Sequence, residues 1–396
     1  MSAYIIVPDV HIGKGLSLGK ARAGNVFNSR VIDQMDLLDW IMQQAIQHNV
    51  SHIILTGDIF EDTKPDPSLI ALFISWLKRC ANNDITVHIV QGNHDILRTG
   101  STNISSLDII IDSEIDSVFI YKDITTVFID NTAFTMCPFR DRKSFNLNSN
   151  AEALDRLTLN IAYEAASIPS SYRKILIGHL AIEGSIFVGD ELDDVANELF
   201  CPPSMFSAYD YVWMGHIHKP QVLQTKTSYR PLVAHIGSMD ISNFTEAEEK
   251  KHVVLIDNET ITTLQLPVRP LKKIAVAVPE NTTNSTQYVL DKIAEEGDLT
   301  RSIVRLEIQL LAVDVLPVDR AVIEKALYTS GVFNVCNITE SKKLAPIKKD
   351  ANNTLTTTMN IPAALKSWIT NNVPADKQTA VQSLATNYYH QYKEEA

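Results

Sequence analysis

The chain has 396 residues, 45% of them hydrophobic and 21% charged, with a formal net charge of −12. That composition fits a folded protein of two or three units and excludes a disordered one. No run of about 18 apolar residues is present to span a membrane, and the acidic balance argues against tight autonomous DNA binding, which needs Lys and Arg against phosphates.

The elements follow in chain order. Tyr4–Val7, His52–Leu55, Val87–Val90, Ile175–Ile177, Tyr211–Met214 and Leu232–Ile236 are short apolar runs, the pattern of buried strands. Val31–His48 and Ser68–Cys80 carry apolar residues at helical spacing, so strands and helices alternate as in an α/β fold. His252–Ile256 and Thr260–Leu266 flank Asn258-Glu259 as a hairpin that closes the sheet. After Pro267–Pro270 come strand Lys273–Val278, helix Gln287–Glu295, strand Ser302–Leu311, helix Asp319–Tyr328 and strand Phe333–Ile338. Residues 342–360 are polar and read as a linker, and Pro362–Thr370 and Asp376–Tyr392 as helical segments of a tail. The expected units are 1–268, 269–341, 342–360 and 361–396. Cys80, Cys137, Cys201 and Cys336 have no paired spacing, and the N-terminus lacks a basic signal-peptide region, so a reducing, cytoplasmic setting is expected.

The chemistry lies at the ends of the apolar runs. They finish in Asp9-Val10-His11, Gly57-Asp58, Gly92-Asn93-His94-Asp95, Gly178-His179 and Gly215-His216-Ile217-His218. In a parallel sheet the loops after successive strands share one edge, so these groups can converge. Each motif alone is weak; a His at a strand end is usually a hydrogen-bonded core residue. The five in series point to metal. Carboxylate, imidazole and amide donors without thiolate suit a pair of divalent ions such as Mn²⁺, with Mg²⁺, Fe²⁺ and Zn²⁺ also compatible. Asp58, alone after its strand, is the natural bridge between two ions. His94 is left off the metals: beside Asp95 it can act as a proton donor to a leaving oxygen. Residues 12–32 hold Lys14, Lys20, Arg22 and Arg30 and no acid, directly after the first motif, so Lys14, Lys20 and Arg22 are candidate DNA contacts. His48, His52, His88, His235, His252 and His390 have no motif spacing and read as structural, His235 least securely because of its place near Gly237-Ser238.

The series of motifs resembles the calcineurin-like metallophosphoesterases. Gly57-Asp58-Ile59-Phe60, the Pro-containing segment Lys64–Ser68, and Ile236-Gly237-Ser238-Met239-Asp240 with Phe244 and Glu246 are similar to the SbcD-type nucleases of double-strand-break repair. The resemblance covers residues 1–268, and covers 269–340 in element order only. It implies a four-layer α/β sandwich, a small α+β capping domain and a helical C-terminal tail. It further implies that Asp9, His11, Asp58 and His218 hold one ion and Asp58, Asn93, His179 and His216 the other, with His94 serving the transition state. Archaeal and eukaryotic members carry a histidine three residues after the bridging aspartate; Glu61 stands there, which puts a second catalytic histidine in doubt.

Two apolar helices suggest partners. Ser68–Cys80 is apolar nearly all round, so Phe73 and Trp76 are expected at a homodimer contact, the alternative being burial under the chain's own loops. Trp368, Leu384 and Tyr388 in the tail resemble a hook for an SbcC-like coiled-coil ATPase, the alternative being docking onto this chain. The expected activity is metal-dependent exo- and endonucleolytic cleavage of DNA in repair, recombination or replication. A small-substrate phosphoesterase, acting on cyclic nucleotides or phosphoproteins, and a metal-free scaffold remain as alternatives.

Overall fold

A computed structural model describes residues 3–21, 27–99, 102–188, 198–312, 315–342, 365–366, 368–370, 373–374 and 377–394. The linker expected at 342–360 lies outside them apart from its first residue, as does Arg22. The chain forms two compact units, residues 1–342 and 343–396.

Two six-stranded sheets build the larger unit. The first comprises β1 (Ala3–Val7), β2 (Val50–Leu55), β3 (Thr86–Val90), β6 (Val118–Tyr121), β13 (His252–Asp257) and β14 (Thr260–Gln265), in the order β14-β13-β1-β2-β3-β6. The second comprises β7 (Thr125–Ile129), β8 (Thr132–Cys137), β9 (Arg173–Gly178), β10 (Tyr211–Met214), β11 (Gln221–Gln224) and β12 (Leu232–His235), in the order β11-β12-β10-β9-β8-β7. A small hairpin, β4 (Ile96–Thr99) with β5 (Thr102–Ser105), and a short helix α3 (Asp108–Ile111) lie between β3 and β6.

The central strands are apolar on both faces, and alternation sorts their side chains between two cores. Tyr4 and Ile6 of β1, Ile54 of β2, Ile175 and Ile177 of β9 and Trp213 of β10 pack between the sheets. Ile5, Val7, Ile53 and Leu55 point the other way, under α1 (Ser29–Gln47) and α2 (Pro67–Ala81). Leu176, Val212 and Met214 meet α4 (Asn150–Ser167) on the outside of the second sheet. The layers therefore run helix, sheet, sheet, helix, the four-layer arrangement expected.

Phe73 and Trp76 are a correction. Both are fully buried inside this chain. Asp66 caps α2 by accepting from the Ser68 amide at 2.8 Å, and Pro67 opens the helix. So oriented, the helix turns Trp76 inward: its Nε1 donates to the Leu38 carbonyl at 2.9 Å and its ring stacks on Phe73, which meets Phe60 edge-on. Helix α1 and the loop after β2 supply the second covering that was assigned to another subunit. Trp76→Ala is expected to cost about 3–5 kcal/mol of stability through the cavity it leaves, read as a lower urea midpoint; a dimer that separates with an unchanged midpoint would contradict this placement.

Beyond β14 the chain adds β15 (Leu271–Val278), α5 (Ser285–Ala294), β16 (Ile303–Leu310), α6 (Arg320–Thr329) and β17 (Asn334–Lys342). The element order is the one expected. All three strands pair in parallel, in the order β15-β16-β17, because each connection carries a helix. Val304, Leu306, Ile308 and Leu310 of β16 share one core with Val289 and Ile293 of α5 and Ile323 and Leu327 of α6. In the smaller unit Gln378–Glu394 is helical, Trp368, Leu384 and Tyr388 are exposed, and Ile369 is buried.

Candidate metal centre

All seven expected ligands converge where the two sheets meet at the ends of β1, β2, β3, β9 and β10. The loops are laced together by backbone. The amides of Val10 and His11 donate to the Asp58 carbonyl at 3.1 and 2.8 Å, and Met239 donates to the Asp9 carbonyl at 2.8 Å. His11, Asp58 and His216 hold positive φ of 48°, 46° and 82°, conformations that cost free energy outside glycine and persist where the surroundings over-determine them. The motif glycines serve close approach. A Cβ on Gly92 would lie 2.1 Å from Asp58 Oδ1, and one on Gly215 would lie 2.1 Å from Asp9 Oδ1. Any side chain there would displace a carboxylate.

Three overlapping groups have ligand atoms within 4.8 Å of one another: Asp9, His11 and His218; His11, Asp58 and His94; Asp9, Asp58 and His179. Asp58 belongs to two of them, and its Oδ2 lies 3.5 Å from His11 Nε2 and 3.2 Å from His179 Nε2. Asn93 Oδ1 lies 2.9 Å from His179 Nε2 and 3.0 Å from His216 Nδ1. The Nε2 atoms of His11 and His218 face each other at 2.9 Å.

These residues fit divalent cations on physical grounds. The Nε2 atoms of His11 and His218 converge on one point, and burial brings His11 down to about 4 and holds His218 well below its ordinary value, so both rings are neutral and offer nitrogen lone pairs to a cation. Burial and the neighbouring Asp58 charge push Asp9 up to about 7, against the pull of His179. Asp58 stays well below the usual range, because His179, His94 and His11 outweigh its burial. Glu198 Oε2 is buried with no hydrogen-bond partner among the described residues. A cluster of buried carboxylates and mutually facing imidazoles is an electrostatic well for cations.

Supporting groups fix the donors. Thr56 Oγ1 donates to Asp9 Oδ1 at 3.1 Å, and the Thr56 carbonyl accepts from His179 Nδ1 at 2.9 Å. Glu61 Oε2 sits 2.8 Å from His11 Nδ1 and is itself paired with Lys14 at 3.0 Å. Burial alone would raise Glu61, but His11 and Lys14 bring it down to about 2. Glu198 Oε1 holds His216 Nε2 at 2.9 Å. Outer carboxylates of this kind orient metal-binding imidazoles. In the sequence Glu61 stands out only as a missing histidine, and Glu198 escapes notice because it carries no motif spacing. His235 Nδ1 bonds the Gly215 carbonyl at 2.9 Å, steadying the His216 turn, and burial lowers the ring to about 3.

Two further expectations change. Asp95 does not orient His94. Its carboxylate accepts from the amides of Ile59 at 3.0 Å and Gly92 at 2.9 Å, tying the second and third motif loops together. The His94 ring is held instead by Nδ1 donating to the Glu61 carbonyl at 2.5 Å, which leaves Nε2 for the cavity. Lys20 is engaged elsewhere: its ammonium lies 4.3 Å from the centre of the Tyr328 ring and 5.6 Å from that of Phe333, so it staples the loop after β1 to the βαβαβ segment. Lys14 does reach the site. It lines a cavity of about 430 Å³ with Asp58, Asn93, His94, His216 and His218.

Residues 4–220 match the family described as Calcineurin-like phosphoesterase. The chain belongs to that family. Its metal-dependent phosphoester chemistry is what this donor set is built for, and the site is a divalent-metal site. The chain is also similar to the SbcD subunit of the nuclease SbcCD from Staphylococcus epidermidis, 23% identical over 270 residues that make up 64% of this chain and 69% of that protein. Among solved structures it resembles a dimetal phosphatase from Danio rerio at 12% identity and a TM-score of 0.41, covering 67% of this chain and 96% of that one. It also resembles the nuclease MPE of Pseudomonas putida at 16% identity and a TM-score of 0.22, covering 46% and 66%. No described helix is long and apolar enough to cross a membrane.

Proposed function

We propose that this phosphoesterase is a two-metal DNA nuclease, the SbcD-like subunit that works with an SbcC-like coiled-coil ATPase in DNA repair, recombination or replication in the cytoplasm. The observation that carries the reading is the likeness to the SbcD subunit of SbcCD, whose 270 residues exceed the stretch 4–220 matched by the general family. Asp9, His11, Asp58 and His218 would hold one ion, and Asp58, Asn93, His179 and His216 the other, with Mn²⁺ the ion these donors suit best. Bound there, the ions supply Lewis acidity toward the phosphate and a nucleophile at neutral pH. The chain's own groups do the rest. Glu61 and Glu198 fix His11 and His216, and His94 Nε2 faces the cavity as a proton donor. Lys14 offers positive charge beside the reacting phosphate. Exposed Trp368, Leu384 and Tyr388 suit a surface for the ATPase. Should the chain pair with itself, residues other than Phe73 and Trp76 make the contact.

The test pairs two substrates and one deletion. With Mn²⁺, the full chain is expected to cut duplex DNA with exo- and endonucleolytic products as well as a chromogenic phosphodiester. Removal of residues 361–396 should leave this basal cutting intact and abolish ATP-stimulated cutting with the coiled-coil partner. Hydrolysis confined to the chromogenic ester would favour a small-substrate phosphoesterase, and equal stimulation without the tail would remove its role in recruitment.

A further inference from the structure

The cavity has a second wall that the metal ligands do not explain. In β16 the residues Val304, Leu306, Ile308 and Leu310 are buried under α5 and α6, so Arg305, Glu307 and Gln309 fall on the opposite face. Arg305 reaches the cavity that also holds Asp58, Asn93, His94 and His216. Its guanidinium lies 4.3 Å from the centre of the Phe244 ring, its Nε is buried without a hydrogen-bond partner among the described residues, and the thiol of Cys336, a weak acceptor, lies beside it.

Nearby cations are matched by acids. Lys14 pairs with Glu61, Lys251 with Glu246 and Glu249, Arg269 with Asp33, and Lys273 with Glu307. The cavity's glutamates are engaged too, Glu61 by His11 and Lys14 and Glu198 by His216. Among the described residues Arg305 pairs with no carboxylate. A partly desolvated guanidinium without a counter-ion is costly, and an incoming anion relieves that cost. Phe244 packs against the guanidinium, and a guanidinium fork suits the two-point recognition of a phosphate that lysine cannot copy.

The geometry points to Arg305 as the anchor for a second phosphate of the substrate, one that flanks the reacting phosphate along a nucleic-acid strand. The inference rests on the nuclease reading and adds a selection rule to it. A site that binds a flanking phosphate favours a strand over a lone diester or a cyclic nucleotide. The strand has polar surface to follow: Lys273, Arg305 and Asn337 stand in register across the three parallel strands, and Lys273 and Asn337 are exposed.

The test uses the full chain loaded with Mn²⁺ and two probes, a single-stranded oligonucleotide and bis(p-nitrophenyl) phosphate. Arg305→Met keeps a long apolar side chain beside Phe244 and removes the charge. It is expected to lower kcat/KM on the oligonucleotide by about 10- to 100-fold, mostly in KM, and to reduce the salt slope of oligonucleotide binding by about 0.7. The loss on the small diester should stay within about twofold, since that probe has no flanking phosphate. Arg305→Lys should recover part of the affinity and less than half of the rate, and both variants should melt with wild type. Equal losses on the two probes, or an unchanged salt slope, would overturn the assignment. Wild-type protein that hydrolyses the diester and leaves both the oligonucleotide and duplex DNA intact would instead remove the nuclease reading, and the strand anchor with it.

Discussion

Asp58→Asn is expected to bind less than half the metal of the parent chain and to hydrolyse phosphodiesters at least about 10³-fold more slowly. The reason lies in its position. Asp58, like Asp9, belongs to two of the three ligand groups, and its single Oδ2 lies 3.5 Å from His11 Nε2 and 3.2 Å from His179 Nε2, the placement of a bridge. Metal-borne charge stabilisation is worth several kcal/mol, and each 1.36 kcal/mol or so is tenfold in rate. Asparagine keeps the oxygen that accepts the His94 amide at 2.9 Å, so the loop is not broken. It also removes the ionised carboxylate that His179, His94 and His11 hold well below its usual range. Those interactions stabilise the metal-free fold at neutral pH, so the metal-free variant should melt below the metal-free parent. Adding Mn²⁺ should widen the gap. The parent gains about 2.7 kcal/mol at a hundredfold excess over Kd, and the variant gains far less. Metal analysis and paired melts with and without Mn²⁺ check this; full metal occupancy in the variant would remove Asp58 as the shared ligand.

Much of this centre was legible because the ligands sit where apolar runs stop. A strand buried on both faces has a continuous apolar sequence, so its end is sharp, and the first polar residue after it is already at the sheet edge. Asp9, Asp58, Asn93, His179 and His216 were found in that way. The groups that hold them were not legible, since their roles arise only from convergence. Glu198 meets His216 across the cavity, and Lys251 buries its ammonium to bond the His218 carbonyl at 3.1 Å; neither relation leaves a spacing in the sequence. Parts of the fold were hidden for similar reasons. Helix α4 buries Ala153, Leu157, Ile161 and Ala165, yet Leu159 and Tyr163 are exposed and blur its stripe. Strands β7 and β8 are rich in threonine, and Val127–Ile129 is their only apolar run of three residues. The error over Phe73 and Trp76 has the same root: all-round hydrophobicity says that a helix is covered, and only the tertiary structure says that its own chain does the covering.

His94→Gln is expected to keep the metals and DNA and to lose cleavage of DNA by about 10²–10⁴-fold, the range for removal of a general acid. Nδ1 is committed to the Glu61 carbonyl, so the proton to be delivered sits on Nε2, which faces the cavity. The loss should depend on the leaving group. A nitrophenolate departs without a proton, so bis(p-nitrophenyl) phosphate should lose less than about tenfold, whereas a deoxyribose oxygen needs the donor. The defect should lie in kcat, with binding and its salt slope unchanged, which separates it from the loss at Arg305. The pH dependence has a definite sign. Burial alone would pull His94 down, but the Asp58 and Glu61 carboxylates and the Glu61 carbonyl raise it above its ordinary value of 6.5. The active form is protonated, so kcat/KM is full below that pKa and falls about tenfold per pH unit above it. Cations at Asp58 offset its charge and bring the limb back toward the ordinary value, while the bond to Glu61 still supports it. In His94→Gln the alkaline limb should disappear and leave a low, flat rate. A variant that keeps the parent's limb would assign it to another group, and one that loses metal would make His94 a ligand, as its place beside His11 and Asp58 also allows.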